Sequence, residues 1–296
     1  MPSFLEQLAL PGILVADGAT GTQLQRAGLP AGAAPERWNL EYPDGILRLH
    51  RSYLDAGADI ILTNTFGGSR LRLERDDLGG KTVQINKAAA ALARQSAGQG
   101  QYVFGDLGPT GVLLEPYGTL SYADAVRAFA EQAGALAAGG VDAILIETMS
   151  DLNEAKAALE GARQVTDLPV LVTLSFDTRG RTMMGVRPSA AAKELWALGV
   201  AAVGANCGRT LSETLAAIQE MRQAVPEAVL MAKPNAGLPR MEGDQSVYDV
   251  TPEVMAEWAH LFAEQRVKIF GGCCGSTPAH IRAVAAALHA PATPRA

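Results

Sequence analysis

Eight short apolar runs, each followed by a polar or glycine-rich turn and then a longer segment of helical spacing, predict a single parallel (β/α)8 barrel. Two further observations agree. Polar and reactive residues gather at the ends of these runs, where barrels of this kind keep their chemistry. No linker, low-complexity stretch or heptad run divides the 296 residues, so the barrel is expected over 1–289, with a disordered, proline-containing tail at 290–296. A doubly wound open sheet has the same alternation, because periodicity alone does not establish closure.

The runs and helices alternate in order. Run 13–16 leads into Asp17-Gly18-Ala19-Thr20-Gly21-Thr22, and the helix at 44–56 sets Ile46, Leu49, His50 and Tyr53 at three- and four-residue steps. Run 59–63 ends in Thr63-Asn64-Thr65-Phe66-Gly67 before a helix at 83–97. Run 102–105 ends in Gly105-Asp106-Leu107-Gly108-Pro109 before a helix at 122–138. Run 143–146 ends on Glu147-Thr148 before 151–164, and run 170–175 on Ser175-Phe176-Asp177 before 189–198. Run 201–205 ends on Asn206-Cys207 before 212–224. Run 229–233 ends in Lys233-Pro234-Asn235-Ala236-Gly237 before 252–264. Run 267–270 ends in Gly271-Gly272-Cys273-Cys274-Gly275 before 278–288. Thr251-Pro252-Glu253 and Ser276-Thr277-Pro278 are helix starts, with proline in the first turn.

Composition narrows the function classes. The chain is 48% hydrophobic and 19% charged, enough apolar residue for a large core. A net charge of -6 gives no electrostatic reason to bind nucleic acid or an anionic membrane, so a small partner is expected. No apolar run reaches the length of a membrane span, and the first basic residue is Arg26, so no secretory signal is expected. With unpaired thiols this points to the cytoplasm.

The three cysteines are the strongest chemical signal. Cys207, Cys273 and Cys274 close two strand-like runs, and three thiolates converging there would bind zinc tetrahedrally with a fourth position open, as in catalytic sites. Neighbouring side chains in a regular strand point to opposite faces, so the vicinal pair reaches one metal only if the backbone turns; Gly271, Gly272 and Gly275 permit that. Other readings stay open. Taken alone, Cys207 reads as a buried small hydrophobe, and a vicinal disulfide would leave Cys207 unexplained.

The other strand-end groups have ordinary readings too. Asp17 could cap a helix beginning near Thr20, Glu147 could sit in a rim salt bridge, and Asn64 and Asn235 could anchor loops. Glu147 is the hardest to dismiss, because an acid ending a buried strand needs a cation or hydrogen-bond donors. His50, His260, His280 and His289 fall on predicted helices and read as packing or surface residues. No placed phosphate-binding loop appears. A zinc ion held by three thiolates is a poor activator of water but well suited to keeping a fourth sulfur deprotonated, so alkyl transfer to a thiol is the chemistry these residues suit.

These segments resemble the homocysteine S-methyltransferase family. The resemblance is carried by Asp17-Gly18-Ala19-Thr20-Gly21-Thr22, Thr63-Asn64-Thr65-Phe66-Gly67, Gly108-Pro109-Thr110-Gly111, Ile146-Glu147-Thr148, Gly204-Ala205-Asn206-Cys207, Pro234-Asn235-Ala236-Gly237-Leu238-Pro239 and Gly271-Gly272-Cys273-Cys274-Gly275. They run in family order across nearly the whole chain, and the double cysteine with its upstream Asn-Cys is the specific element. The resemblance implies a zinc-bearing barrel that methylates L-homocysteine to L-methionine, with Cys207, Cys273 and Cys274 as ligands. It further implies that Asp17 and Glu147 receive the substrate ammonium, that backbone N–H groups near Gly18 and Ala19 hold its carboxylate, and that Asn64 lies in the substrate site. Asn235 is implied as the oxygen ligand when homocysteine is absent.

Within the family, the Thr63–Gly67 and Pro234–Pro239 segments look most like the homocysteine module of cobalamin-dependent methionine synthases. The 296 residues leave no length for folate-binding, cobalamin-binding or reactivation modules, so a methylcobalamin donor would come on another polypeptide or free. The alternative donor is a small onium compound, S-methylmethionine or betaine. Betaine-using relatives carry aromatic residues where this chain has Gly67 and Thr148, and S-methylmethionine enzymes more often carry serine where Ala236 stands. From other classes, a non-catalytic zinc or thiol-redox protein and a metal-free barrel lyase remain; rim acids at both Asp17 and Glu147 favour a catalyst.

Overall fold

The apolar runs pair side by side, all parallel, into an eight-stranded sheet among the residues described, which are 2–30, 32–242 and 245–289 of a computed structural model. The strands are β1 (Leu14–Val15), β2 (Ile60–Leu62), β3 (Tyr102–Leu107), β4 (Ala143–Met149), β5 (Val170–Leu174), β6 (Ala202–Cys207), β7 (Leu230–Pro234) and β8 (Val267–Phe270). β1 pairs with β8, and the order then runs back through β7 to β2. A parallel bridge between Ala16 and Ile60, with the Asp17 N–H donating to the Ile60 carbonyl at 2.9 Å, joins the two edges. The result is a barrel, not an open sheet.

Eight helices follow the strands: α1 (Pro43–Leu54), α2 (Thr82–Ser96), α3 (Tyr122–Ala138), α4 (Leu152–Arg163), α5 (Pro188–Ala197), α6 (Leu211–Ala224), α7 (Pro252–Glu264) and α8 (Pro278–His289). Ser121, Thr210 and Thr251 cap α3, α6 and α7 by accepting from backbone N–H groups of the first turn. Strand alternation separates two cores. Val15, Ile61, Val103, Ile144, Val172 and Val203 face the helices. Leu14, Ile60, Phe104, Leu145, Leu171, Met231 and Ile269 fill the barrel interior.

Several features depart from the sequence reading. A short helix, Phe4–Ala9, with a Ser3/Glu6 capping box, places Phe4 edge-on against Tyr102 and Phe104 at 5.5 and 4.7 Å between ring centres, plugging the end of the barrel opposite the cysteines. Strand β4 runs on past residue 146, and its register with β5 shifts between Ile146 and Met149, where Thr148 adopts φ +62°. A hairpin, Arg240–Glu242 with Gln245–Val247, follows β7. The expected tail at 290–296 lies outside the described residues. Among the described residues no helix is long and apolar enough to cross a membrane.

Candidate active site and metal centre

The three cysteine sulfurs meet at the C-terminal end of the barrel, all within 4.8 Å of one another, and none is in a disulfide. Cys207 ends β6 in a left-handed backbone, φ +56°, and Gly208 follows at φ +73°. That turn aims the Cys207 sulfur at Cys273, 2.9 Å away. The other two leave β8 through Gly271 and Gly272, where a Cβ would fall 2.8 Å from that of Ala16 and 2.2 Å from the Ser276 hydroxyl, so these glycines serve close approach. Gly275 alone of the three is left-handed, and the Tyr248 ring packs where its Cβ would stand.

The end of β7 is stitched between the two cysteine segments. Asn235 N–H donates to the Cys207 carbonyl, Cys273 N–H to the Pro234 carbonyl and Ala236 N–H to the Cys274 carbonyl. The Asn235 amide donates to the Gly208 carbonyl at 2.7 Å, while its side-chain oxygen is buried without a partner. Hydrogen bonds from Cys207 and Cys273 pull Cys274 down to about 3. Three free thiols within 4.8 Å of one another, beside a buried amide oxygen with no hydrogen-bond partner, supply the donor set that zinc takes. The residues fit the metal.

Inside the barrel mouth lies a layer of buried charge. Asp106, Glu147 and Lys233 each stand two residues beyond an inward-facing apolar residue, Phe104, Leu145 and Met231, so strand period carries them to the same interior. Lys233 Nζ lies 3.1 Å from Glu147 Oε2 and 3.9 Å from Asp17 Oδ1. Three carboxylates thus face one ammonium. Asp17 Oδ2 accepts from the Leu62 N–H at 2.8 Å, but its Oδ1 and one oxygen of Asp106 have no hydrogen-bond partner. Burial pushes Asp17 up to about 7 against the pull of Lys233, and it raises Glu147 and Asp106 as well. Burial works against the Lys233 ammonium, yet Glu147 and Asp17 keep its pKa above the usual lysine value.

Asp17 is no helix cap: the helix Gly21–Arg26 has Thr20 at its N-cap, and the Asp17 carboxylate points inward. Gly18 lies against the Tyr53 ring and the Ser276 hydroxyl, and the Ala19 N–H donates to Ser276 Oγ at 3.2 Å and to the Ser276 carbonyl at 3.3 Å. Asn64 donates its amide hydrogens to the Pro35 carbonyl and to Asn39 Oδ1, an anchoring role beside the cleft it lines. Gly18, Ala19, Asn64, Glu147 and the three cysteines line one cleft of about 650 Å³. His50, buried with a pKa lowered to about 4 by desolvation, and His280, bonded to the Val250 carbonyl, are packing residues. The roles of Asp106 and Lys233 went unread in the sequence; counting by twos from the apolar strand residues would have placed them beside Glu147.

Comparison with known proteins gives a consistent set of relatives. A family model described as homocysteine S-methyltransferase matches residues 14–288. Methionine synthase of Mycobacterium tuberculosis (strain ATCC 25618 / H37Rv) is 36% identical over 296 residues, covering 93% of this chain and 24% of that protein. Methionine synthase of Mycobacterium leprae (strain TN) is 35% identical over 304 residues, covering 96% and 25%. The chain therefore spans about a quarter of the length of these relatives. Among solved structures, the metallated form of the Escherichia coli homocysteine methyltransferase MmuM shares the fold, with a TM-score of 0.80 over 95% of this chain and 98% of that one at 22% identity.

Proposed function

Because the chain belongs to the homocysteine S-methyltransferase family, we propose that it transfers a methyl group to the thiol of L-homocysteine, giving L-methionine, at a zinc centre held by Cys207, Cys273 and Cys274. The observation that carries this reading is the adjacency, in one cleft, of three free thiols and a charge layer short of a cation. A ligand with an ammonium at one end and a thiol at the other satisfies both halves.

In this reading Asp17, whose Oδ1 has no hydrogen-bond partner, and Glu147 receive the substrate ammonium, and Lys233 keeps the acids from repelling one another. The turn at Gly18 and Ala19 faces the carboxylate, Ala19 sharing its N–H with Ser276. Asn64 lines the same cleft. Asn235 offers its free oxygen to the metal when substrate is absent. Zinc bound there would keep the substrate sulfur deprotonated, which a free thiol of pKa about 8.5 is not at neutral pH. The protein acts in the cytoplasm, where such thiols stay reduced.

In this reading the donor is methylcobalamin, held by none of the residues of this barrel. The identity to methionine synthases supports this choice. The test is methionine formation by zinc-loaded protein from homocysteine, with methylcobalamin and S-methylmethionine in parallel. Turnover with methylcobalamin is expected. Turnover with the sulfonium alone would replace the donor, and no methionine with either would overturn the activity.

A further inference from the structure

Asn206, at the end of β6, is 1% exposed and makes contacts to three other strands or strand ends. Its side-chain oxygen accepts from the Thr148 N–H at 2.8 Å and from the Thr173 hydroxyl at 2.7 Å. Its side-chain nitrogen donates to the Thr148 hydroxyl at 2.6 Å and lies 3.9 Å from the Cys273 sulfur. All four hydrogen-bonding positions of the amide are therefore used. A backbone N–H can only donate, so the oxygen must face Thr148, and that orientation points an N–H at Cys273.

The contact with Thr148 has a second consequence. A β-branched residue at φ +62° is strained, and it persists only where its surroundings hold it. Asn206 grips Thr148 by both its N–H and its hydroxyl, directly after Glu147. Resting on the zinc reading above, we infer that Asn206 is a positioning residue that ties the two ends of the substrate site together. Through Thr148 it fixes the strand that presents Glu147, and through its N–H it withdraws charge from the Cys273 thiolate that holds the metal. Groups that hydrogen-bond to metal ligands in this way tune affinity by about 10- to 100-fold.

The test uses cobalt(II) in place of zinc, reading the sulfur-to-cobalt charge-transfer band and metal retention against a chelator. In Asn206→Ala the band is expected to move to longer wavelength, as Cys273 loses its N–H donor, and metal retention to fall about 10- to 100-fold. At saturating metal, homocysteine binding also weakens. Asn206→Leu, of similar size and without donors, serves if the alanine variant does not fold. Thr148→Gly, which suits the positive φ and leaves the N–H to sulfur in place, keeps the wild-type band. An unchanged band and retention in the Asn206 variants, or the same shift in Thr148→Gly, would overturn the inference. A wild-type protein that takes up no cobalt would instead overturn the metal reading itself.

Discussion

In the lower half of the barrel interior Leu14, Ile60, Phe104, Leu171 and Ile269 pack with Phe4 into an apolar plug. In the upper half, toward the C-terminal ends of the barrel strands, stand Asp106, Glu147, Thr173, Asn206 and Lys233, with Asp17 and the cysteines. The lower half has aromatic edges in contact and complete burial. The upper half has carboxylate and amide oxygens without hydrogen-bond partners and two non-glycine residues, Thr148 and Cys207, at positive φ. The contrast shows a division of labour along the strand: burial below supplies the stability that lets desolvated charge and backbone strain persist above.

The comparison can be broken from either side. Cys273→Ser is expected to have the largest effect, removing a metal donor and lowering methionine formation by about 100-fold or more, beyond the loss typical of altered supporting groups; metal analysis and turnover check it. Phe104→Ala, in the plug, should cost about 3–5 kcal/mol in denaturant unfolding through the cavity it leaves, with metal content unchanged. Glu147→Ala should keep the metal and weaken homocysteine binding by about 10- to 100-fold, the scale of one lost charge-assisted hydrogen bond. Metal loss in that variant would merge the two ends of the site into one.

The smallest effect is in pH, and its two readouts run in opposite directions. Asp17 sits near 7 in the folded, ligand-free protein, above its ordinary value of 3.8. A raised pKa means the folded state binds that proton more tightly, so its contribution to stability is present below about 4 and lost as pH rises through about 7. In the proposed function the substrate ammonium meets the ionised Asp17 carboxylate, so homocysteine affinity should fall toward acid, by up to about tenfold between pH 7 and pH 6. Thermal melts and binding titrations across pH 4–8 check the two signs.

Much of this architecture was legible because apolar runs and cysteine positions are local facts. The β8 strand, Val267–Phe270, and helices α3 and α7 have the bounds that periodicity indicates, and the cysteines converge as their strand-end placement suggests. What escaped depends on contacts between distant segments. The left-handed Thr148 is held by Asn206, 58 residues away, and nothing in Glu147-Thr148 signals it. Lys233 acquires meaning only when β7 and β4 share one interior. The Phe4–Ala9 helix is too short to show a period, although Ser3 and Glu6 have capping-box spacing.

The account turns on whether one ligand uses both ends of the cleft through the metal. The direct measurement is calorimetric titration of homocysteine into zinc-loaded and zinc-stripped protein, repeated in buffers of different ionisation enthalpy to count protons. Zinc-dependent binding that releases about one additional proton, with loss of that release in Cys273→Ser, is the expected result. Equal affinity and equal proton release with and without zinc would contradict it.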